Sequence, residues 1–222
     1  MKTTVIIPAY NEEKTIAEVL KIVQGHPLID EVIVVDDGSG DRTTQIAKQY
    51  IEKVISLSEN MGKGKALDIG VDSTDAKIIL FLDADLLNLN RDHITTLLRP
   101  VMEGEYDMSV GAIERPNMKS LNSKHEVLES PFSGMRAITR EVWDIIPEDY
   151  KNKFYLETAL TYIARKKKLK IKPLVLYGVK HIVKEKKHGF IKGHLLRWKM
   201  HINIVFAGIL VRLKKKKHGI TS

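Results

Sequence analysis

The chain predicts an α/β protein, a mixed, mainly parallel sheet flanked by helices, and three observations carry that expectation. Along residues 3–113, short β-branched runs alternate with stretches whose apolar residues recur at helical spacing, the pattern of a parallel sheet with helices on both faces. The run Ile78-Ile79-Leu80-Phe81-Leu82 is apolar without interruption, as a strand covered on both sides must be, and it stops on Asp83-Ala84-Asp85. A second run, Val32-Ile33-Val34-Val35, stops in the same way on Asp36-Asp37. In open α/β sheets ligands bind beyond the carboxyl ends of the strands, so acids there are candidate site residues.

Taken in order, residues 3–8 read as the first strand, ended by Pro8, which has no N–H to give to a ladder. Asn11 can cap the helix behind it, where Ile16, Val19, Leu20 and Val23 share one face up to a stop near Gly25. Residues 31–35 form the second strand, Asp41 caps a helix over 42–50, and 54–57 is a short third strand. Asn60-Met61-Gly62-Lys63-Gly64-Lys65 then opens a third helix. Its glycines let a backbone approach a ligand, and lysines at a helix N-terminus favour phosphate. The strand at 78–82 follows. An Asp-x-Asp at its end can bind one Mg2+ or Mn2+ ion, although aspartates after strands are also common as plain caps and turns.

Residues 93–98 read as helix with Pro100 as its limit, 106–113 as strand, and 115–130 as a polar, mobile loop. Ser133-Gly134-Met135-Arg136-Ala137 precedes a short helix over 140–146, and a longer one over 154–165 sets Leu156, Leu160 and Ile163 on one face. Residues 170–177 and 179–183 read as a pair of strands joined near Gly178. A glycine-centred basic loop, Lys186-Lys187-His188-Gly189-Phe190-Ile191-Lys192, comes next.

Composition narrows the class. Without cysteine the chain has neither disulfides nor thiolate metal sites, and its first residues are too short an apolar run for a signal peptide. No segment reaches the roughly 18 apolar residues of a spanning helix, so a cytoplasmic protein, peripheral on the inner face of the membrane, is expected. From Arg165 onward 18 Lys or Arg stand against one acid, Glu185, whereas the residues before it hold 18 bases and 27 acids. Such a split points to a polyanionic partner for the tail. The last helix, over 194–213, carries the stripe Leu195, Trp198, Ile202, Val205, Phe206, Ile209 and Leu213 between basic flanks, the pattern of a helix lying on a membrane surface; docking on the body or on another subunit is the alternative. Aromatics are few there, and Trp198 and Phe206 lie on the stripe, so no nucleic acid is expected as partner.

Four motifs in this order, each at a strand end, resemble the family 2 glycosyltransferases with the GT-A (Rossmann-like) fold: Ile6-Ile7-Pro8-Ala9-Tyr10-Asn11-Glu12-Glu13, Val35-Asp36-Asp37-Gly38-Ser39-Gly40-Asp41, Asn60-Met61-Gly62-Lys63-Gly64 and Asp83-Ala84-Asp85. The resemblance is close over 1–113 and loose over 131–177. It implies a GT-A domain over 1–190, with a nucleotide-sugar half at 1–113 and an acceptor half at 114–190, followed by the basic helix and tail at 191–222. On the matching residues it implies that Pro8, Ala9, Tyr10 and Glu12 border the nucleotide, that Asp37 contacts base or ribose, and that Lys63 lies beside the nucleotide. Asp83 and Asp85 would hold Mg2+ or Mn2+ and the ribose-diphosphate, with Asp85 the direct ligand.

Within the family the chain is most similar to the dolichol- and polyprenyl-phosphate sugar synthases. Arg136 falls in what resembles the acceptor-side loop. Lys186, His188 and Lys192 fall in what resembles the basic loop over the diphosphate. Leu87 stands where some members carry a further polar metal ligand, which leaves His188 as the candidate third ligand. Glu157, followed by Thr158 where many members have a second acid, is the candidate catalytic base, and the donor is expected to be UDP- or GDP-linked. The reading is a metal-dependent transferase moving a sugar to a lipid phosphate or other phosphorylated acceptor, with inversion as the family default. Two alternatives stand beside it: transfer to a soluble hydroxyl with Glu157 as base, and a degenerate transferase serving as a basic lipid- or nucleic-acid-binding module.

Overall fold

A computed structural model describes residues 1–113, 134–151 and 156–181. The expected loop at 115–130, Lys186, His188, Lys192, the C-terminal helix and the boundary at 190 lie outside those residues.

Strands β1 (Thr3–Ala9), β2 (Glu31–Asp36), β3 (Lys53–Ser56), β4 (Ile78–Phe81), β6 (Met108–Ile113), β7 (Arg136–Thr139) and β8 (Ile171–Leu176) form one sheet in the order β3-β2-β1-β4-β7-β6-β8. Only β7 runs against its neighbours, so the sheet is mixed and mainly parallel, as expected. A separate ladder pairs β5 (Leu86–Leu87) antiparallel with β9 (Lys180–His181). Successive strand residues point to opposite faces, and both faces are covered. Val5, Ile7, Val34, Ile78 and Leu80 pack with α1 (Ile16–Val23) and α4 (Arg91–Met102). Ile6, Ile33, Val35, Ile79 and Phe81 pack on the other side with α3 (Lys63–Asp72), α5 (Arg140–Asp144) and α7 (Leu156–Lys166). Two short helices, α2 (Thr43–Ala47) and α6 (Glu148–Lys151), complete the described elements. Each fully buried Val, Leu or Ile contributes about 1.5–3 kcal/mol before chain entropy is set against it. The core is thus fixed by the strand runs legible in the sequence.

Several local expectations are corrected. Pro8 does not end β1: it pairs in register with Val35, and the strand continues to Ala9. In a parallel ladder alternate residues face alternate neighbours, and Ile6 accepts from Leu82 on the β4 side. Pro8 has the same parity, so its missing N–H falls where β4 has already ended. Asn11 is no N-cap. It adopts a left-handed φ of 54° and ties the end of β1 to the β2 turn, its N–H donating to Ser39 Oγ at 2.8 Å and its Oδ1 accepting from Gly40 at 2.9 Å.

Helix α4 starts earlier and ends later than its apolar spacing suggests. Asn90 and His93 form a reciprocal capping box at its start, with histidine in the role usually taken by Glu. Pro100 sits inside the last turn, where it removes one hydrogen bond while buried Leu97, Leu98 and Val101 hold the helix to the sheet. The strands β8 and β9 do not form a hairpin. β8 joins β6 in parallel, and β9 crosses to β5.

Opposite the motif-bearing end, Glu31 knits the strand starts together. It accepts from Thr4 at 3.0 Å, Thr74 at 2.7 Å and Lys53 at 2.8 Å, with Lys2 at 3.2 Å. Burial by itself would raise its carboxyl, but the bonds from Lys53, Thr74, Thr4 and Lys2 outweigh it and hold it at about 2. The carboxylate therefore adds stability that is fully present above pH 4.5 and lost as pH falls through about 2. After a discount for its remaining exposure, Glu31→Gln is expected to cost about 2 kcal/mol in urea unfolding at pH 7 and to match the parent near pH 2. Equal loss at both pH values would mean that packing, not charge, is what Glu31 supplies.

Candidate active site

The ends of β1 and β2 and the loop before α3 converge at the carboxyl edge of the sheet. Asp37 is buried, and its two carboxylate oxygens accept from the N–H groups of Met61 at 2.7 Å and Gly62 at 2.9 Å. Burial raises its pKa, with Asp36 adding to the rise and the two amides opposing it. Asp37 thus shapes the 60–62 loop, in addition to standing where the resemblance puts a nucleotide contact. Gly38, at φ +72°, is what lets that loop approach: an added Cβ would lie 2.5 Å from the backbone carbon of Glu59. Asp41 is not the N-cap: the helix runs only over Thr43–Ala47 with Arg42 at the cap position, and Asp41, one residue earlier, accepts from Thr43 N–H at 2.9 Å and from Glu13 N–H at 3.2 Å, tying the turn after β2 to the turn after β1. Pro8 and Ala9 lie on this edge beside Tyr10, which is 45% exposed, and Met61, which is 50% exposed. Glu12 is anchored through Thr43 and Thr15.

The acidic centre lies at the end of β4. Asp83, Asp85 and His181 offer one ligand atom each, all within 4.8 Å of one another. His181 Nδ1 is 3.0 Å from Asp85 Oδ1, and its Nε2 is 3.8 Å from Asp83 Oδ2. Two carboxylate oxygens and one imidazole nitrogen form a donor set that fits Mn2+ well and Mg2+ acceptably, since Mg2+ prefers oxygen alone. Burial lowers the affinity of His181 for a proton, yet Asp85 and Asp83 together raise its pKa above the ordinary value. A metal ion would compete with that proton.

Lys63, in the first turn of α3, reaches into the same centre. Its ammonium lies 2.5 Å from Asp83 Oδ1 and 2.6 Å from Glu157 Oε1. Burial alone would lower its pKa, but the two carboxylates reverse this and hold it above the ordinary lysine value. Gly134 packs directly on Asp83, and a Cβ there would collide with the carboxylate. Asp83 is thus confined between Lys63 and Gly134.

Arg136 is not in an exposed acceptor loop. It lies in β7, 1% exposed, with Nη1 donating to Thr161 Oγ1 at 2.7 Å. Burial pulls its pKa down to about 10 while Glu157 and Asp83 push it up, so it remains protonated beneath the acidic centre at neutral pH. Residues 133–137 read as a loop in sequence because β7 is only four residues long and its partners, β4 and β6, are distant in the chain. His188 lies outside the described residues. The histidine brought to the aspartates is His181, which sequence reasoning missed: it stands 96 positions from Asp85, and its only local sign is its place just after the Gly178 break.

A mixed sheet with a metal-competent acidic pair at the carboxyl end of β4, a shaped loop beside it and a lysine on the first acid of the pair is the arrangement of a GT-A glycosyltransferase. Residues 4–168 match the family described as glycosyl transferase family 2, and the chain belongs to that family. It is 32% identical over 190 residues to an uncharacterised protein of Methanocaldococcus jannaschii, covering 76% of this chain and 77% of that one. Over 98 residues it is 41% identical to the dolichyl-phosphate beta-glucosyltransferase of Mus musculus, covering 37% of this chain but only 30% of the mouse enzyme. Among solved structures it is similar to glucosyl-3-phosphoglycerate synthase of Mycobacterium tuberculosis in complex with Mg2+ and uridine diphosphate, with a TM-score of 0.68, 26% identity and coverage of 82% of this chain and 71% of the other. The same enzyme with Mn2+, uridine diphosphate and glucosyl-3-phosphoglycerate gives a TM-score of 0.67.

Proposed function

We propose that this enzyme transfers a hexose from a UDP-linked donor to a phosphate oxygen of a polyprenyl phosphate at the inner membrane surface, with Asp83, Asp85 and His181 holding Mn2+ or Mg2+. The observation that carries the acceptor class is the pairing of Glu157 with Lys63 at 2.6 Å. Lys63 occupies the Glu157 oxygen that would have to face an acceptor hydroxyl, whereas a phosphate acceptor, already anionic, needs no base. The phosphate oxygen forms the new bond to the anomeric carbon as the bond to UDP breaks, and UDP leaves with the electron pair. When bound, the divalent ion supplies charge neutralisation across the diphosphate. Asp83 and Asp85 orient that end of the donor, Lys63 adds a cation at the N-terminus of α3, and the loop held by Asp37 borders the nucleoside.

One further feature, the basic run of the chain after His181, supports the reading. In sequence the basic stretch containing Lys186 and Lys192 begins five residues after His181. A membrane surface is then the partner of the tail at 191–222. No helix of the described residues is long and apolar enough to cross a membrane.

Likeness to a synthase whose product is glucosyl-3-phosphoglycerate favours a second reading, transfer to a hydroxyl of a small phosphorylated acceptor with Glu157 as base. Glu157→Gln separates the two. With polyprenyl phosphate in anionic vesicles and UDP-glucose as donor, its kcat is expected to fall no more than about tenfold. Loss of about 10³-fold or more, the scale of a removed general base, together with preference for a soluble hydroxyl acceptor, would establish the second reading.

A further inference from the structure

His181 reaches the aspartates on a slender support. It sits in β9, a strand of two residues whose ladder pairs Leu86 with His181 and Leu87 with Lys180. A ladder this short is not stable on its own, so something else must fix β9 to the end of β4. Val179 is buried in the same core cluster as Leu86 and Leu89. A polar contact closes the end of the ladder. Asn88, the residue after β5, donates from its Nδ2 to the carbonyl oxygen of Gly178 at 3.1 Å. To do so it holds a left-handed backbone, φ 58°, a conformation that Asn and Gly tolerate and most residues resist.

Asn88 is solvent-exposed, so neither burial nor core packing explains its left-handed backbone. The bond to Gly178 does. Gly178 is itself at φ +79°, where the chain turns out of β8, and fixing its carbonyl fixes the path into Lys180 and His181. A one-residue slip in this ladder would turn His181 to the opposite face, away from Asp85. The position two residues after Asp85, where the family resemblance places a polar ligand in some members, is Leu87. In its place the ligand comes across the ladder.

We infer that Asn88 is a positioning residue for the metal centre: its amide locks the β5–β9 register and so presents the His181 imidazole to the ion held by Asp83 and Asp85. The inference rests on the metal-site reading above. Groups that hold metal ligands in place commonly account for about 10–100-fold in metal affinity.

The test uses the full chain and Mn2+ alone, with free ion counted by electron paramagnetic resonance. Asn88→Gly keeps the left-handed backbone and removes only the amide. It is expected to weaken Mn2+ binding about tenfold while leaving the melting temperature of the metal-free protein within about a degree of the parent. Asn88→Ala, which also strains the backbone, is expected to weaken Mn2+ at least as much, and His181→Ala more than either. If Asn88→Gly binds Mn2+ within twofold of the parent while His181→Ala loses tenfold or more, the positioning role is overturned and the metal site stands. If His181→Ala leaves Mn2+ binding unchanged, the metal site itself falls and the positioning role falls with it.

Discussion

Asp85→Ala is expected to abolish metal-dependent donor binding and to lower kcat by about 10³-fold, the scale of removing a preorganised charge-stabilising group. Asp85 is the centre of the ligand set: its carboxylate faces His181 at 3.0 Å, and without it an ion keeps one carboxylate and an imidazole that has lost its partner. In a thermal-shift panel of UDP- and GDP-linked sugars with Mn2+, the parent at 100 times its dissociation constant gains about 2.7 kcal/mol from the matching donor. The variant is expected to gain nothing from metal. Its fold should persist, because Leu82, Ala84 and Leu86, which anchor this segment, are buried and untouched. An Asp85→Ala protein that still shows the metal-dependent shift, or that keeps a tenth of parental activity, would remove the ion from this position.

Lys63→Met is expected to move two readouts in opposite directions. Methionine keeps the length of the stem but removes the cation that lies between Asp83 and Glu157. Donor-free Mn2+ binding should tighten several-fold, since a positive charge in contact with a ligand carboxylate disappears. The value of kcat/KM should fall about 10²–10³-fold, since the diphosphate loses a cation at the start of α3. The ammonium is partly open to water, which screens it, so the gain in metal affinity is the smaller effect. If both quantities fell together, Lys63 would be holding the site's structure and not its charge balance.

Much of this molecule is legible in the order of its residues. The runs at 3–7, 32–35 and 78–82 form central strands because a strand buried on both faces carries few polar residues, and all their side chains are buried apart from that of Val32. Ile16, Val19, Leu20 and Val23 form one buried face as their spacing requires. The corrections at Pro8, Asn11 and Pro100 share a cause. Each residue has the local preference expected of it, but neighbours in space decide whether it matters: an absent strand beside Pro8, a turn within reach of Asn11, a buried helix face around Pro100.

By itself, then, the sequence determined the α/β alternation, the acids at the strand ends and the loop that leads into α3, because periodicity and strand termination are properties of contiguous residues. Only the tertiary structure decided that β7 enters the sheet antiparallel and buries Arg136, that Lys63 binds Glu157 across 94 positions, and that His181 meets Asp85 across 96. The physical reason is that a charge or a ligand acts over a few ångströms of space, and chain separation of that length carries no trace of which side chains the fold will bring within them.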